Sequence, residues 1–222
     1  MATPDVTAVE TQRTQPGSMS MFDVDAFHAT PLQRKPFDYL VVPGFIRPDA
    51  LAALNRDYPQ IEGPGNMAAD NLACGPAFAQ LLATLHGRPF ADLLSEKFDL
   101  DLAGCPATIS VRRYSEATDG NIHTDHRSKI LTLLLYFNTS WEHEGGRLRM
   151  LNSASDLEDY VAEVTPCCGT LLAFRRTNHS YHGHKPFVGE RRILQLSWTR
   201  GGDLGRYVSG LTKPVRRLLN MS

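Results

Sequence analysis

The sequence predicts a mainly β domain with helices packed against its outside, and two observations point that way. From Ala107 onward, ATISVRRY, ILTLLLYF, GRLRML, GTLLAF and RRILQLSW are strand-length runs separated by Gly, Asn, Ser and Pro. Most have no helical pattern between them, which favours an antiparallel sandwich or barrel over a βαβ sheet. Helical spacing is confined to the residues before them. A helical part over about 37–105 therefore precedes a β core over about 106–200, and 201–222 forms a C-terminal extension.

Residues 1–20 are rich in Thr, Gln, Ser and Pro with few large apolar groups, and a disordered tail is expected there. The remainder, 21–222, reads as one domain, long enough to bury a core without disulfides. FDYLVVPGF, from Phe37, reads as a strand and turn. Pro48 then opens a helix that places Leu51, Leu54 and Tyr58 on one face. A second helix starts near Pro76, with Phe78, Leu81, Leu82 and Leu85 at helical spacing, and Gly87 with Pro89 stops it. A short helix carrying Phe90, Leu93, Leu94 and Phe98 follows. The run Leu131 to Phe137 is apolar at nearly every position, so that strand should be covered on both faces.

The 23 basic and 24 acidic residues nearly cancel, and no basic patch marks a nucleic-acid or membrane partner. The longest apolar run is far too short to span a bilayer. No signal-peptide pattern is seen, so a cytoplasmic location is expected. Cys74, Cys105, Cys167 and Cys168 form no CxxC pair and read mainly as buried thiols.

Chemistry concentrates in GNIHTDHRSKILTLLLYFN. In an extended chain His123 and Asp125 point the same way, making two arms of a metal clamp. NHSYHGHKPF offers His179, His182 and His184 as a third arm. Two imidazoles and one carboxylate on one side of an ion match the facial arrangement of non-haem ferrous iron sites, which leaves positions open for cosubstrate and dioxygen. In RRILQLSW, alternation puts Arg192, Leu194, Leu196 and Trp198 on one face and Arg191, Ile193, Gln195 and Ser197 on the other. The first set is the more apolar, so Arg192 is expected to be buried, and a buried guanidinium calls for an anion. Lys129 and Arg127 read as a solvated or substrate-facing edge.

On RRYSEATDGNIHTDHRSKILTLLLYFN, EGGRLRML and SYHGHKPFVGERRILQLSW, the chain resembles the iron and 2-oxoglutarate-dependent dioxygenases, in their prolyl 4-hydroxylase-like branch, over about 37–200. The resemblance implies a double-stranded β-helix, a jelly-roll core flanked by N-terminal helices. It makes His123, Asp125 and His182 the iron ligands. Arg192 would bind the distal carboxylate of 2-oxoglutarate, with Arg191 as competitor. Arg192 is preferred because Trp198 shares its face. Tyr136 would reach the same carboxylate, and Tyr114 would line the cosubstrate pocket. Gly145 and Gly146 would form a tight turn into a strand.

The implied cofactors are Fe(2+), 2-oxoglutarate and O2, with ascorbate as a candidate auxiliary reductant. The implied reaction releases succinate and CO2 while hydroxylating a C–H bond of a protein residue, prolyl-like, or of a small molecule. The carboxylate at 125 argues against halogenation. The rival reading is a non-oxidative β-barrel using the same ligands to bind zinc or sense a small acid. An inactive peptide-binding module would need no such ligand set.

Overall fold

The computed structural model describes residues 19–201. All but the last two residues of the expected tail, and nearly all of the C-terminal extension, lie outside them. Met19 and Ser20 open a short 3-10 turn at Met19–Met21.

Helix α1, Val24–Ala29, was not evident from periodicity. Its start is set by Asp23, whose carboxylate accepts the Ala26 N–H at 3.0 Å, a standard N-cap contact. Strand β1, Tyr39–Val42, leads to α2, Pro48–Arg56, which has Pro in its first turn. The two-residue strand β2 is Met67–Ala68.

Helix α3, Pro76–His86, is capped from a distance: Asp57 Oδ2 accepts the Ala77 N–H at 2.8 Å. The approach requires glycine at 75, because a Cβ there would stand 2.4 Å from Asp57 Cγ. Helix α4, Arg88–Phe98, begins at once, so Gly87 closes one helix and opens the next. Pro89, expected as a stop, lies in the first turn of α4, where its missing N–H costs nothing.

The β core comprises β3 (Ala107–Ser115), β4 (Lys129–Tyr136), β5 (Leu148–Leu151), β6 (Tyr160–Val164), β7 (Leu171–Arg175), β8 (His182–Gly183) and β9 (Gly189–Thr199). A six-stranded sheet runs β1-β7-β4-β9-β3-β2, and a three-stranded sheet runs β6-β5-β8. Every named strand pairing is antiparallel. Strand β6 and the tiny β8 were not legible, the first because it falls in the acidic stretch after DLEDY.

The large sheet separates two apolar clusters. Leu131, Leu133 and Leu135 of β4 and Leu194, Leu196 and Trp198 of β9 pack with the helices. Leu134, Tyr136 and Ile193 join Leu148, Met150 and Phe174 between the sheets. The expectation that the Leu131–Phe137 strand is covered on both faces holds. Leu133 is fully buried on the helix side, so Leu133→Ala should cost about 2–5 kcal/mol in urea unfolding, with the cavity it leaves contributing much of the loss.

Candidate metal centre and cosubstrate pocket

His123 lies outside the named strands but bonds to β8 as a strand would. The His123 N–H donates to the His182 carbonyl and the His182 N–H to the His123 carbonyl, both at 3.0 Å. This bridge sets the two rings 4.3 Å apart, centroid to centroid. One ligand atom from each of His123, Asp125 and His182 lies within 4.8 Å of the other two.

The imidazoles are oriented from behind. His123 Nδ1 is 2.9 Å from the Asn121 carbonyl and His182 Nδ1 is 3.0 Å from the Ser180 carbonyl. A carbonyl only accepts, so each Nδ1 carries the proton and each Nε2 keeps a free lone pair for a metal. The Phe174 ring packs 4.6 Å from that of His182. Burial pushes the His182 pKa down to about 4, against the opposing pull of Asp125. The ring is therefore neutral near pH 7.

Asp125 is buried, and both of its oxygens are engaged. Lys129 Nζ donates to Oδ1 at 2.8 Å and Thr132 Oγ1 donates to Oδ2. Burial alone would raise the carboxyl pKa. The Lys129 and His182 charges and the two hydrogen bonds outweigh it and hold the pKa below its ordinary value. Lys129, expected at a solvated edge, is 3% exposed. Its position at the start of an otherwise apolar strand was the available signal.

The cluster opens on a cavity of about 260 Å³ that also meets Ser110, Arg112, Leu134, Arg191 and Gln195. Of the two candidate arginines, Arg191 and not the expected Arg192 lines this cavity. Arg192 points to the helix side of β9, where Nε bonds Glu190 at 2.8 Å, Nη1 bonds Asn55 at 3.0 Å and the guanidinium lies over Tyr58. Arg191 lines the cavity. The alternation was read correctly, and the more apolar face does meet a core, but that core is the helix-facing one. The less apolar face borders the polar cavity, and Trp198 accordingly packs against helices.

Arg191 is 4% exposed, and its Nε donates to the Gly146 carbonyl at 2.7 Å. Its Nη2 has no hydrogen-bond partner among the described residues, and neither has the fully buried Tyr136 hydroxyl. The Arg191 guanidinium carbon lies 5.7 Å from the Tyr136 ring centre. Tyr136 is not among the lining residues; it reaches the cavity's edge through Arg191, which does line it. Burial pushes its pKa up to about 12, although the Arg191 charge opposes this. Burial likewise lowers the Arg191 pKa.

Tyr114 does not line the cavity. A β-bulge falls between Arg112 and Tyr114, which bridges to Pro64 and carries the Arg113 guanidinium against its ring. Arg112 takes the cavity position instead, bonded to Asn66 at 3.1 Å and to Asp119. Asp119 in turn accepts the Glu116 N–H at 2.8 Å, and Gly120 accepts the His184 N–H at 2.9 Å. The segment before the clamp is thus tied down at the cavity mouth. Gly120 has φ +98°, and a Cβ there would meet the His184 carbonyl at 2.3 Å. His179 is exposed and outside the cluster, whereas His184 is buried at the cavity wall.

Residues 109–200 match the family model of the 2OG-Fe(II) oxygenase superfamily. That match covers 92 of the 222 residues, including the whole candidate ligand set, and supports the 2OG-Fe(II) oxygenase superfamily. No curated protein matches its sequence. Among solved structures, a prolyl-4-hydroxylase from Pseudomonas putida is similar at 20% identity and TM-score 0.53, over 84% of this chain and 95% of the other. A Trichoplax adhaerens prolyl hydroxylase, solved with a hypoxia inducible factor oxygen degradation domain peptide fragment, is similar at 18% identity and TM-score 0.53, over 86% and 92%. A Burkholderia pseudomallei oxidoreductase of the 2OG-Fe(II) oxygenase family is similar at 13% identity and TM-score 0.53, over 84% and 92%. These likenesses establish the jelly-roll fold. The family match makes the protein a 2-oxoglutarate-dependent dioxygenase whose cofactors are Fe(2+), 2-oxoglutarate and O2. No helix among the described residues is long and apolar enough to cross a membrane.

Two outcomes follow from the buried charges. Lys129→Met leaves the Asp125 carboxylate buried without its cation and should destabilise the metal-free protein by roughly 3–5 kcal/mol in urea. His184 is a second histidine whose pKa burial pushes down, to about 4, with the Arg191 charge adding to the effect. Its ordinary value is 6.5, so the unfolded chain binds more protons between those two pH values. Stability of the metal-free protein should therefore fall as pH drops from 6.5 towards 4. In His184→Gln the fall in melting temperature over that window should be shallower.

Proposed function

We propose that His123, Asp125 and His182 hold the ferrous iron of this oxygenase, that Arg191 with Tyr136 holds the distal carboxylate of 2-oxoglutarate, and that the enzyme hydroxylates a C–H bond of a protein residue or small molecule. The observation that carries this reading is the charge on Arg191. Among the described residues, buried Lys129 is paired with Asp125, and buried Arg149 with Glu158 and Glu163. Arg191 has no carboxylate within salt-bridge distance among the described residues: its Nε meets a neutral carbonyl and its guanidinium packs on the Tyr136 ring, while its Nη2 and the Tyr136 hydroxyl lack a hydrogen bond of ordinary geometry. A dicarboxylate would supply the missing acceptors and offset the charge.

The bound iron and cosubstrate supply the oxidising chemistry, with release of succinate and CO2. The chain's own residues do the rest. His123 and His182 present Nε2 with the proton already parked on Nδ1. Lys129 and Thr132 hold Asp125 ionised and fix its rotamer. Leu134, Phe174 and Ile193 supply the apolar part of the cavity wall.

Residues 21–222 are read as one domain, its helical part starting at α1 rather than near 37. The peptide held by the Trichoplax enzyme supports a protein substrate as one of the two options. Four free cysteines are in keeping with a cytoplasmic location. The zinc or small-acid barrel is not favoured, since the family match covers the ligand-bearing core.

The test is an anaerobic titration with ferrous iron and 2-oxoglutarate, followed by the visible charge-transfer band. Asp125→Ala and His182→Ala should abolish the band. Arg191→Met should raise the cosubstrate needed by on the order of 100-fold, as expected when one partner of a buried charge pair is truncated. Arg192→Met should leave that requirement near wild type. A band whose cosubstrate dependence followed Arg192 would overturn the assignment. Metal binding without any band or succinate would restore the non-oxidative barrel.

A further inference from the structure

Adjacent thiols that the proposed reaction does not use, Cys167 and Cys168, sit on the turn between β6 and β7. Cys167 Sγ and Cys168 Sγ are 2.8 Å apart. Cys168 is exposed and has φ +62°, a left-handed conformation uncommon for a residue with a side chain, and Gly169 follows at φ +69°.

The turn is wired to both residues assigned to the cosubstrate. The Gly169 N–H donates to the Tyr136 carbonyl at 3.1 Å, and the Tyr136 N–H returns a bond to Thr170 at 3.1 Å. The Cys168 N–H donates to the Asn138 carbonyl at 2.7 Å. The Asn138 side chain brackets Arg191: Oδ1 accepts the Arg192 N–H at 2.8 Å and Nδ2 donates to the Glu190 carbonyl at 3.0 Å.

We propose that Cys167 and Cys168 are a reversible dithiol–disulfide pair whose oxidation loosens the Tyr136–Arg191 end of the cavity and weakens cosubstrate binding. The second half rests on the assignment of those two residues to 2-oxoglutarate. The oxidant is a low-molecular-weight disulfide. The Cys168 thiolate attacks one of its sulfurs and expels a first thiol, and Cys167 then attacks the Cys168 sulfur and expels the second. Two electrons pass from the cysteines to the oxidant, whose thiols carry away the two protons.

Ring closure must disturb the turn. Neighbouring Cα atoms across a trans peptide are about 3.8 Å apart, shorter than the roughly 4.4–6.8 Å usual for disulfides. The intervening peptide therefore has to reorient, and it carries the Cys168 N–H that anchors Asn138. Strain of that kind also makes the bond easy to reduce, which is what a reversible device requires.

The experiment treats the purified full chain with glutathione disulfide. Peptide mapping should show loss of one pair of hydrogens on the 167–168 peptide, restored by dithiothreitol. Equilibrium binding of 2-oxoglutarate, with manganese in place of iron and without dioxygen, should weaken by about ten-fold on oxidation, within the usual range of coupling between sites. The Cys167→Ser, Cys168→Ser double variant should bind as the reduced protein does, with or without oxidant. Amide hydrogen exchange at Tyr136 and Arg192 should quicken in the oxidised form. A glutathione adduct that persists on Cys168 overturns the proposal, as does a disulfide that leaves exchange and binding unchanged. If the reduced protein binds no 2-oxoglutarate, the cosubstrate assignment fails, and the mass and exchange measurements still decide the redox pair and its effect on the turn.

Discussion

Strands β4 and β9 are buried on both faces by unlike neighbours, and the site depends on that constraint. One face of each strand is apolar and packs under the helices. With hydrophobic burial concentrated there, the opposite face is free to carry Thr132, Arg191 and Gln195 into the cavity without forfeiting the core. Because side chains alternate, the same eleven residues of β9 serve both purposes. A slip of one residue would put Leu194 in the cavity and Arg191 against the helices. The long antiparallel pairings of β9 with β3 and β4 guard against it.

The buried charges of the cavity are arranged by the same economy of partners. Asp125 and Lys129 neutralise each other, so the proposed metal ligand is ionised before a metal arrives and little rearrangement is left for binding. Arg191 is left without an acid of its own, whereas Arg112 has Asp119 and Arg192 has Glu190. A guanidinium that is buried without a carboxylate partner is costly to fold. Its retention is best understood if the missing anion is a ligand, since a permanent internal partner would compete with that ligand.

Much of this was legible in the residues. The apolar run after His123 announced a strand covered on both sides, and His123, Asp125 and His182 do converge. What misled was an assumption about which core a sheet face meets. The rule that the more apolar face is buried holds for β9, but in a two-core fold it places Arg192, not Arg191, under the helices. Lys129 was read as a solvated or substrate-facing edge because periodicity cannot show that a carboxylate four residues earlier folds back over it. Tyr114 was displaced by a bulge, which alternation has no means to register. Strand β6 carries Glu163 and exposed Tyr160 and Val161 on an edge, so it lacks the apolar run that betrays an interior strand. The cysteines, expected to be buried, are not: Cys168 is exposed and the other three are partly so.

The cavity mouth completes the argument about charge. His184 shares the cavity wall with Arg191 and Arg112, and burial and the charges of those two arginines lower its pKa. Protonating it would crowd a third positive charge into the same space, so it stays neutral down to about pH 4. The field that draws an anion inward is then set by arginines alone, and arginine does not titrate in the physiological range. His184 also holds the Gly120 carbonyl through its own N–H, so the loop that precedes the His123 clamp is fastened by a residue whose charge is constant. The positive charge of this wall and the fastening of the Gly120 loop are thereby uncoupled from the protonation of His184.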